Sequence, residues 1–140
     1  MIKPTHKPLK QEALKLLTRC FVYSEKPQKF EAKIDLLTAN RNCRFYGFYS
    51  KNHELLGILI LEIENSVSAI IQAIACDQYH EKQGIASQLI EFGQKDTSVT
   101  NLIAETDDNS VDFYQKTGFS VENLGEKYPN VRRYRCSLAF

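Results

Sequence analysis

The chain has 140 residues, 43% hydrophobic and 25% charged, with a formal net charge of +1. That length predicts one domain, residues 1–140, with a sizeable core, and the charge gives no general case for a nucleic acid partner. No run reaches the roughly 18 apolar residues of a membrane helix, and "MIKPTHKPLKQ" has no apolar segment of signal-peptide type, so a cytoplasmic protein with no membrane partner is expected.

The first predicted element is a helix from about Pro8 to Tyr23, since Leu9, Ala13, Leu16, Leu17, Cys20 and Phe21 recur at helical spacing. "SEKPQ" breaks it. Pro27 suits the first turn of a second helix, on which Phe30, Ile34 and Leu37 share a face. "CRFYGFYS" reads as a strand and "KNHE" as a turn. "LLGILILEIE" and "VSAIIQAIAC" are near-continuous apolar runs joined at "ENS", a hairpin of central strands covered on both faces. After "DQYHEKQG" comes an amphipathic helix with Ile85, Leu89 and Phe92 on one side. "NLIAET" is a short strand. "DDNSVDFYQKTGF" reads as a helix with acidic residues at its start and Gly118 as its stop. "FSVENLG" and "RRYRCSLAF" close the chain as strands. This order predicts a mixed α/β (α+β) fold, a largely antiparallel central sheet with helices on both faces.

The four cysteines (Cys20, Cys43, Cys76, Cys136) and three histidines (His6, His53, His80) are scattered, without zinc-ligand spacing, so no metal is expected. Charge is uneven: residues 1–50 hold ten Lys/Arg and four Asp/Glu, residues 51–140 eight and thirteen. Solvated helix faces explain this, or an acceptor side better suited to acidic or neutral partners than to cations.

In "EKQGIASQLI", Gly84 and Ala86 follow a strand and open a helix. The first amides of a helix have no internal partners and carry partial positive charge, so they can hold a phosphate. Small residues let the phosphate approach. Alone, a single Gly-x-Ala reads better as a plain strand-to-helix turn.

Together, "KQGIASQLI" and "DNSVDFYQKTGF" resemble the two acetyl-CoA-binding motifs of the GNAT superfamily of N-acetyltransferases. The first resembles the Gln/Arg-x-x-Gly-x-Gly/Ala loop, the second the Asn…Phe-Tyr-x-Lys-x-Gly-Phe helix. "LGEKYPNVRRYRCSLAF" is similar to the ending of a bacterial subgroup. The resemblance runs from about Leu55 to the end of the chain and implies the acyl-CoA N-acyltransferase fold. It implies that "AIIQAIAC" and "NLIAET" splay like a V and that pantetheine pairs with the backbone of Ile74, Ala75 and Cys76. The pyrophosphate would lie on Gln83, Gly84, Ile85, Ala86 and Ser87, with Lys82 adding charge. Tyr114 would be the acid facing the CoA sulfur beside Phe113. Asn109 would contact the cofactor or cap its helix, and Lys116 would meet the 3′-phosphate or stay solvated. The implied partners are acetyl-CoA and an amine acceptor, on a monomer or homodimer.

Acyl transfer needs a neutral amine, a stabilised oxyanion and a leaving thiolate. Two positions depart from the resemblance. Glu81 stands where Gln or Arg is usual, and Ile70 where the similar subgroup often has a glutamate base, with Ala73 near a usual asparagine. The base must then be Glu62 or Glu64 through water, a water chain positioned by Gln72, or nothing beyond a weakly basic acceptor. Glu105 reads better as a strand-end ion-pair partner. A CoA-binding module without catalysis, and an interaction domain with neither property, are the competing readings. The acceptor's identity is not written in the motifs.

Overall fold

Seven consecutive buried residues, Leu55 to Leu61, make β3 (Leu55–Ile63) the strand around which the sheet is built. The computed structural model describes residues 1–4, 11–18, 20, 27–81, 83–108, 110–129 and 131–140, with 127, 128 and 131 described by backbone alone. Neighbours of β3 are β2 (Cys43–Tyr49) and β4 (Ser68–Cys76), both antiparallel to it. The sheet continues through β5 (Asn101–Asp107) to β7 (Val131–Ala139) and the outer β6 (Ser120–Tyr128). At the opposite edge lies β1 (Ile2–Pro4). The order is β1-β2-β3-β4-β5-β7-β6, and only the β4–β5 pair is parallel.

Helices cover both faces, as the sequence predicts. α1 (Gln11–Leu17) and α2 (Pro27–Ala39) bury Leu16, Leu17, Ile34 and Leu37 against Ile58 and Ile60. α3 (Ile85–Thr97) and α4 (Val111–Lys116) pack on the other face, where Leu89, Ile90 and Tyr114 meet Leu59, Leu61 and Leu102. The two faces of β3 therefore bury its alternating residues equally, which is why its sequence is apolar throughout.

Three expectations change. β1 was not legible; it adds to β2 with Ile2 opposite Phe48, and Lys3 lies 4.6 Å from the centre of the Tyr49 ring. A 3₁₀ turn, Gln78–His80, follows β4 where a loop was expected. The first helix ends earlier than predicted, at Leu17, and Cys20 sits in a turn with its amide bonded to the Leu17 carbonyl at 3.0 Å. The Thr18 hydroxyl donates to the Lys15 carbonyl at 2.7 Å, satisfying a last-turn acceptor and helping to stop the helix there. Pro8, Leu9, Phe21 and Tyr23 lie outside the described residues.

Two features of β4 shape the molecule. Ile60 lies opposite Ala73 and Leu61 opposite Ile71, so Gln72 is the extra residue of a β-bulge. The bulge inverts the side-chain alternation. Ala69 and Ile71 face the α3 core, whereas Ala73 and Ala75 face the α1–α2 core. Second, β4 pairs with β5 only from Ser68–Asn101 to Ile70–Ile103. Beyond that point the strands diverge, β4 staying on β3 and β5 on β7.

α3 packs closely on β3, and glycines let it. A Cβ on Gly57 would stand 2.7 Å from Ile85 Cγ2, and one on Gly93 2.9 Å from Leu61 Cδ1. No helix among the described residues is long and apolar enough to cross a membrane. Gly57→Ala should therefore lower unfolding free energy by about 1–3 kcal/mol, the usual cost of overpacking. Urea denaturation followed by circular dichroism checks this, and an unchanged midpoint would contradict it.

Candidate functional site

The diverging halves of β4 and β5 enclose an open cleft of about 860 Å³, the size of a small-ligand site. Ile71 to Cys76 of β4 form one wall, and Glu105 to Asp107 of β5 with Phe113 and Tyr114 of α4 form the other. Gly84 to Ser87 form its mouth at the start of α3.

That mouth is built by backbone. Gly84 has φ +77° and no side-chain cap, and the first intrahelical bond runs from the Gln88 amide to the Gly84 carbonyl at 3.0 Å. The amides of Ile85, Ala86 and Ser87 precede that ladder and stand at the positive end of the helix. A diphosphate fits such a donor set. Ile85 is buried against the core while Ala86 and Ser87 remain accessible.

Tyr114 is only 6% exposed and belongs to the core cluster, yet it lines the cleft. Its ring meets Phe113 and Phe119 edge-on at 5.1 and 5.2 Å. Gly118 at φ +100° ends α4, and the Phe119 amide returns to the Tyr114 carbonyl at 3.0 Å, which fixes the backbone of this aromatic group. Burial holds the phenol well above its ordinary pKa, with lesser contributions from the thiols of Cys136 and Cys20. Tyr46 is also raised, first by burial, but its hydroxyl donates to Asp96 at 2.6 Å. The Tyr114 hydroxyl has no hydrogen-bond partner among the described residues and is not fully enclosed. It is a neutral donor held ready at the cleft wall.

The other sequence-predicted residues divide into three groups. Ile74, Ala75, Cys76, Gly84, Ile85, Ala86, Ser87, Phe113 and Lys116 line the cleft. Gln83 is exposed and stands outside the lining, and Glu62 is half-buried and also outside it. Lys82 and Asn109 lie outside the described residues. Glu62 nevertheless connects to the cleft: its Oε1 accepts from Gln72 Nε2 at 2.9 Å, and Gln72 is in the lining. Glu62 is also the cross-strand partner of Ile70, so a carboxylate lies one strand away from the position where one was missing. Glu64 is exposed at the hairpin end of β3. Glu81 does line the cleft, at its mouth.

Cys20, His80 and Arg133 are lining residues that sequence reasoning missed. His80 Nδ1 is 2.7 Å from Asp77 Oδ2, an ordered pair just after β4. Arg133 lies opposite Asp107 on β7, a placement set by register. The Cys20 Sγ donates to the Ile74 carbonyl at 3.4 Å. No group of metal-ligating side chains is present among the described residues.

The family described as "Acetyltransferase (GNAT) domain" matches residues 41–121. No curated protein matches the chain in sequence. Among solved structures, an aminoglycoside 6′-N-acetyltransferase complexed with coenzyme A is 10% identical with a TM-score of 0.79, covering 99% of this chain and 96% of that one. An aminoglycoside 6′-N-acetyltransferase from Enterococcus faecium is 12% identical, with a TM-score of 0.77 over 99% and 96% of the two chains. A GNAT family acetyltransferase from Elizabethkingia anophelis with acetyl-CoA bound is 19% identical, with a TM-score of 0.71 over 100% and 97%. These likenesses concern the fold, and the family match spans more than half the sequence, including the diverging strands and the Phe-Tyr helix: the chain belongs to the GNAT acetyltransferase domain family.

Proposed function

We propose that the chain is an acetyl-CoA-dependent N-acetyltransferase that acts on a primary amine by direct attack. The observation that carries this reading is Tyr114: its ring is buried in the core and its hydroxyl, with no hydrogen-bond partner among the described residues, stands in a cleft whose mouth is a row of helix-start amides. Two of the similar structures hold coenzyme A or acetyl-CoA. In this reading residues 1–140 act as one cytoplasmic domain, and the "LGEKYP" segment marks a bacterial subgroup.

Acetyl-CoA supplies the thioester. The edge of β4 from Ile71 onward, where pairing with β5 has stopped, offers backbone groups to an extended amide-bearing arm. The amides of Ile85 to Ser87 receive the diphosphate, and exposed Lys116 adds positive charge along the cleft. Tyr114 protonates the departing sulfur. A phenol suits this step because even its ordinary pKa of about 10 keeps it protonated at neutral pH, and burial holds it further toward that form. A lysine-like acceptor with pKa near 10.4 costs about 4–5 kcal/mol to deprotonate at pH 7. Glu62, oriented by Gln72, draws that proton through water.

A second reading, a CoA-binding module without catalysis, is favoured by Ile70, which cannot take a proton. The two separate on acetyl-CoA consumption over a broad amine panel: the enzyme turns over, the module binds CoA in a calorimeter and does not.

Tyr114→Phe should lower kcat about a hundredfold while leaving CoA affinity near wild type. Retention of full turnover would remove the acid role. Glu62→Gln should lower kcat/KM about tenfold or more at pH 7 and approach wild type as pH rises, because the acceptor then deprotonates unaided. A deficit independent of pH would assign Glu62 to packing instead. Gly84→Val forces a branched side chain to φ +77° at a cost of about 1–2 kcal/mol. Calorimetric titration with CoA should show about tenfold weaker binding, against unchanged affinity if the loop holds no diphosphate.

A further inference from the structure

A second sulfur stands in the cleft. Cys20 lies just after α1 and is half-buried. It packs against the α1–α2 core and its Sγ donates to the carbonyl of Ile74 on β4. Ile74 is one of three residues whose backbone the proposed pantetheine arm would pair with. Cys20 also lines the same cavity as Tyr114. Tyr114 is only 6% exposed, and its hydroxyl, with no partner among the described residues, is the polar group of that buried side chain that lines the cleft. A carrier sulfur facing Tyr114 therefore comes to rest in the neighbourhood of the Cys20 thiol.

We propose that Cys20 is a site of reversible mixed-disulfide formation with the thiol of coenzyme A, which shuts the enzyme when CoA becomes oxidised. The proposal rests on the CoA-binding reading above. The co-reactant is the symmetrical disulfide of CoA. The Cys20 thiolate attacks one sulfur of the disulfide, forming the Cys20–S–S–CoA bond as the bond between the two CoA sulfurs breaks. The second CoA leaves as a thiolate and takes up the proton lost by Cys20. Cys20 is oxidised and the departing CoA sulfur reduced, so no further oxidant is needed. The adduct holds the arm in the cleft and denies it to acetyl-CoA. A small-molecule thiol reverses it by the same exchange.

The chemistry has a reason to select Cys20. Cys43 and Cys136 are buried at 2% and 0% exposure, out of reach of a bulky disulfide. Cys76 also lines the cleft, but its Sγ is 3.6 Å from the carbonyls of both Asp77 and His80, toward the 3₁₀ turn. Cys20 instead bonds the Ile74 carbonyl, within the stretch of β4 that lines the cleft.

The test incubates the full chain with CoA disulfide, and in parallel with oxidised glutathione, without reductant. Intact mass and peptide mapping then locate the adduct. One CoA per chain on Cys20 is expected, forming about tenfold or more faster than the glutathione adduct, because the cleft pre-binds one half of the reagent. Desulfo-CoA, which fills the cleft without a sulfur, should slow labelling. Acetyl transfer should fall in step with the adduct and return with dithiothreitol, and Cys20→Ser should keep its activity under the same treatment. An adduct on Cys76 instead, equal rates with glutathione, or no adduct on a chain that binds CoA in the calorimeter would each overturn the proposal. Absence of CoA binding itself would overturn the functional reading and this inference together. Mapping on the unmodified chain decides the site even if Cys20→Ser folds poorly.

Discussion

The molecule depends on a parallel pairing that stops early. Three residue pairs join β4 to β5, and the strands then part, each kept straight by its other neighbour. Backbone groups left unpaired at such a break must find partners, and a ligand with its own amides supplies them without constraining side chains. This is how "AIIQAIAC" can be almost entirely apolar and still form a wall of the cleft. The bulge at Gln72 works alongside the break. It turns Ile74 and Cys76 toward the α3 face and swings Ala73 and Ala75 under α1. One residue's insertion thus connects the cleft wall to the helices before it.

Legibility in the sequence followed the strength of the physical signal. β3, β4, α3 and the strand-to-helix turn at Gly84 were readable because burial on both faces, helical spacing and a positive-φ glycine each impose a composition. The end of α4 at Gly118 was readable for the same reason. β1 was not, since three residues carry no period and its pairing depends on distant Phe48. Within the site, Gly84 to Ser87 and Tyr114 came from motif spacing. Cys20 and Arg133 did not, because one depends on where α1 stops and the other on β7 register. Cys20 had looked like one more apolar position on a helix face, since the pattern of Leu16 and Leu17 continues through it.

The same distinction explains the carboxylate at Glu62. Read along β4, Ile70 is a gap in the chemistry. Read across the ladder, Glu62 stands directly opposite it and holds Gln72 at 2.9 Å. Cross-strand neighbours lie about 4.5–5.5 Å apart, so a function can move one strand sideways with little change in position. A motif written along one strand is blind to that move. Likewise, the 2.6 Å bond from the Tyr134 hydroxyl to Asp108 ties β7 to the turn before α4 across 26 positions of sequence.

The strand order has a consequence for how the chain comes to be folded. β7, not β6, lies beside β5. Until β7 arrives, β5 is held by three pairs on one side and bare on the other, and α4 rests on a half-built floor. In the finished sheet the β6–β7 hairpin is seated with β7 inward, on β5. Such long-range pairing is slow and leaves sticky edges in the interval. On a ribosome, the pocket would remain unfinished until the strand from Val131 to Ala139 had cleared the exit tunnel.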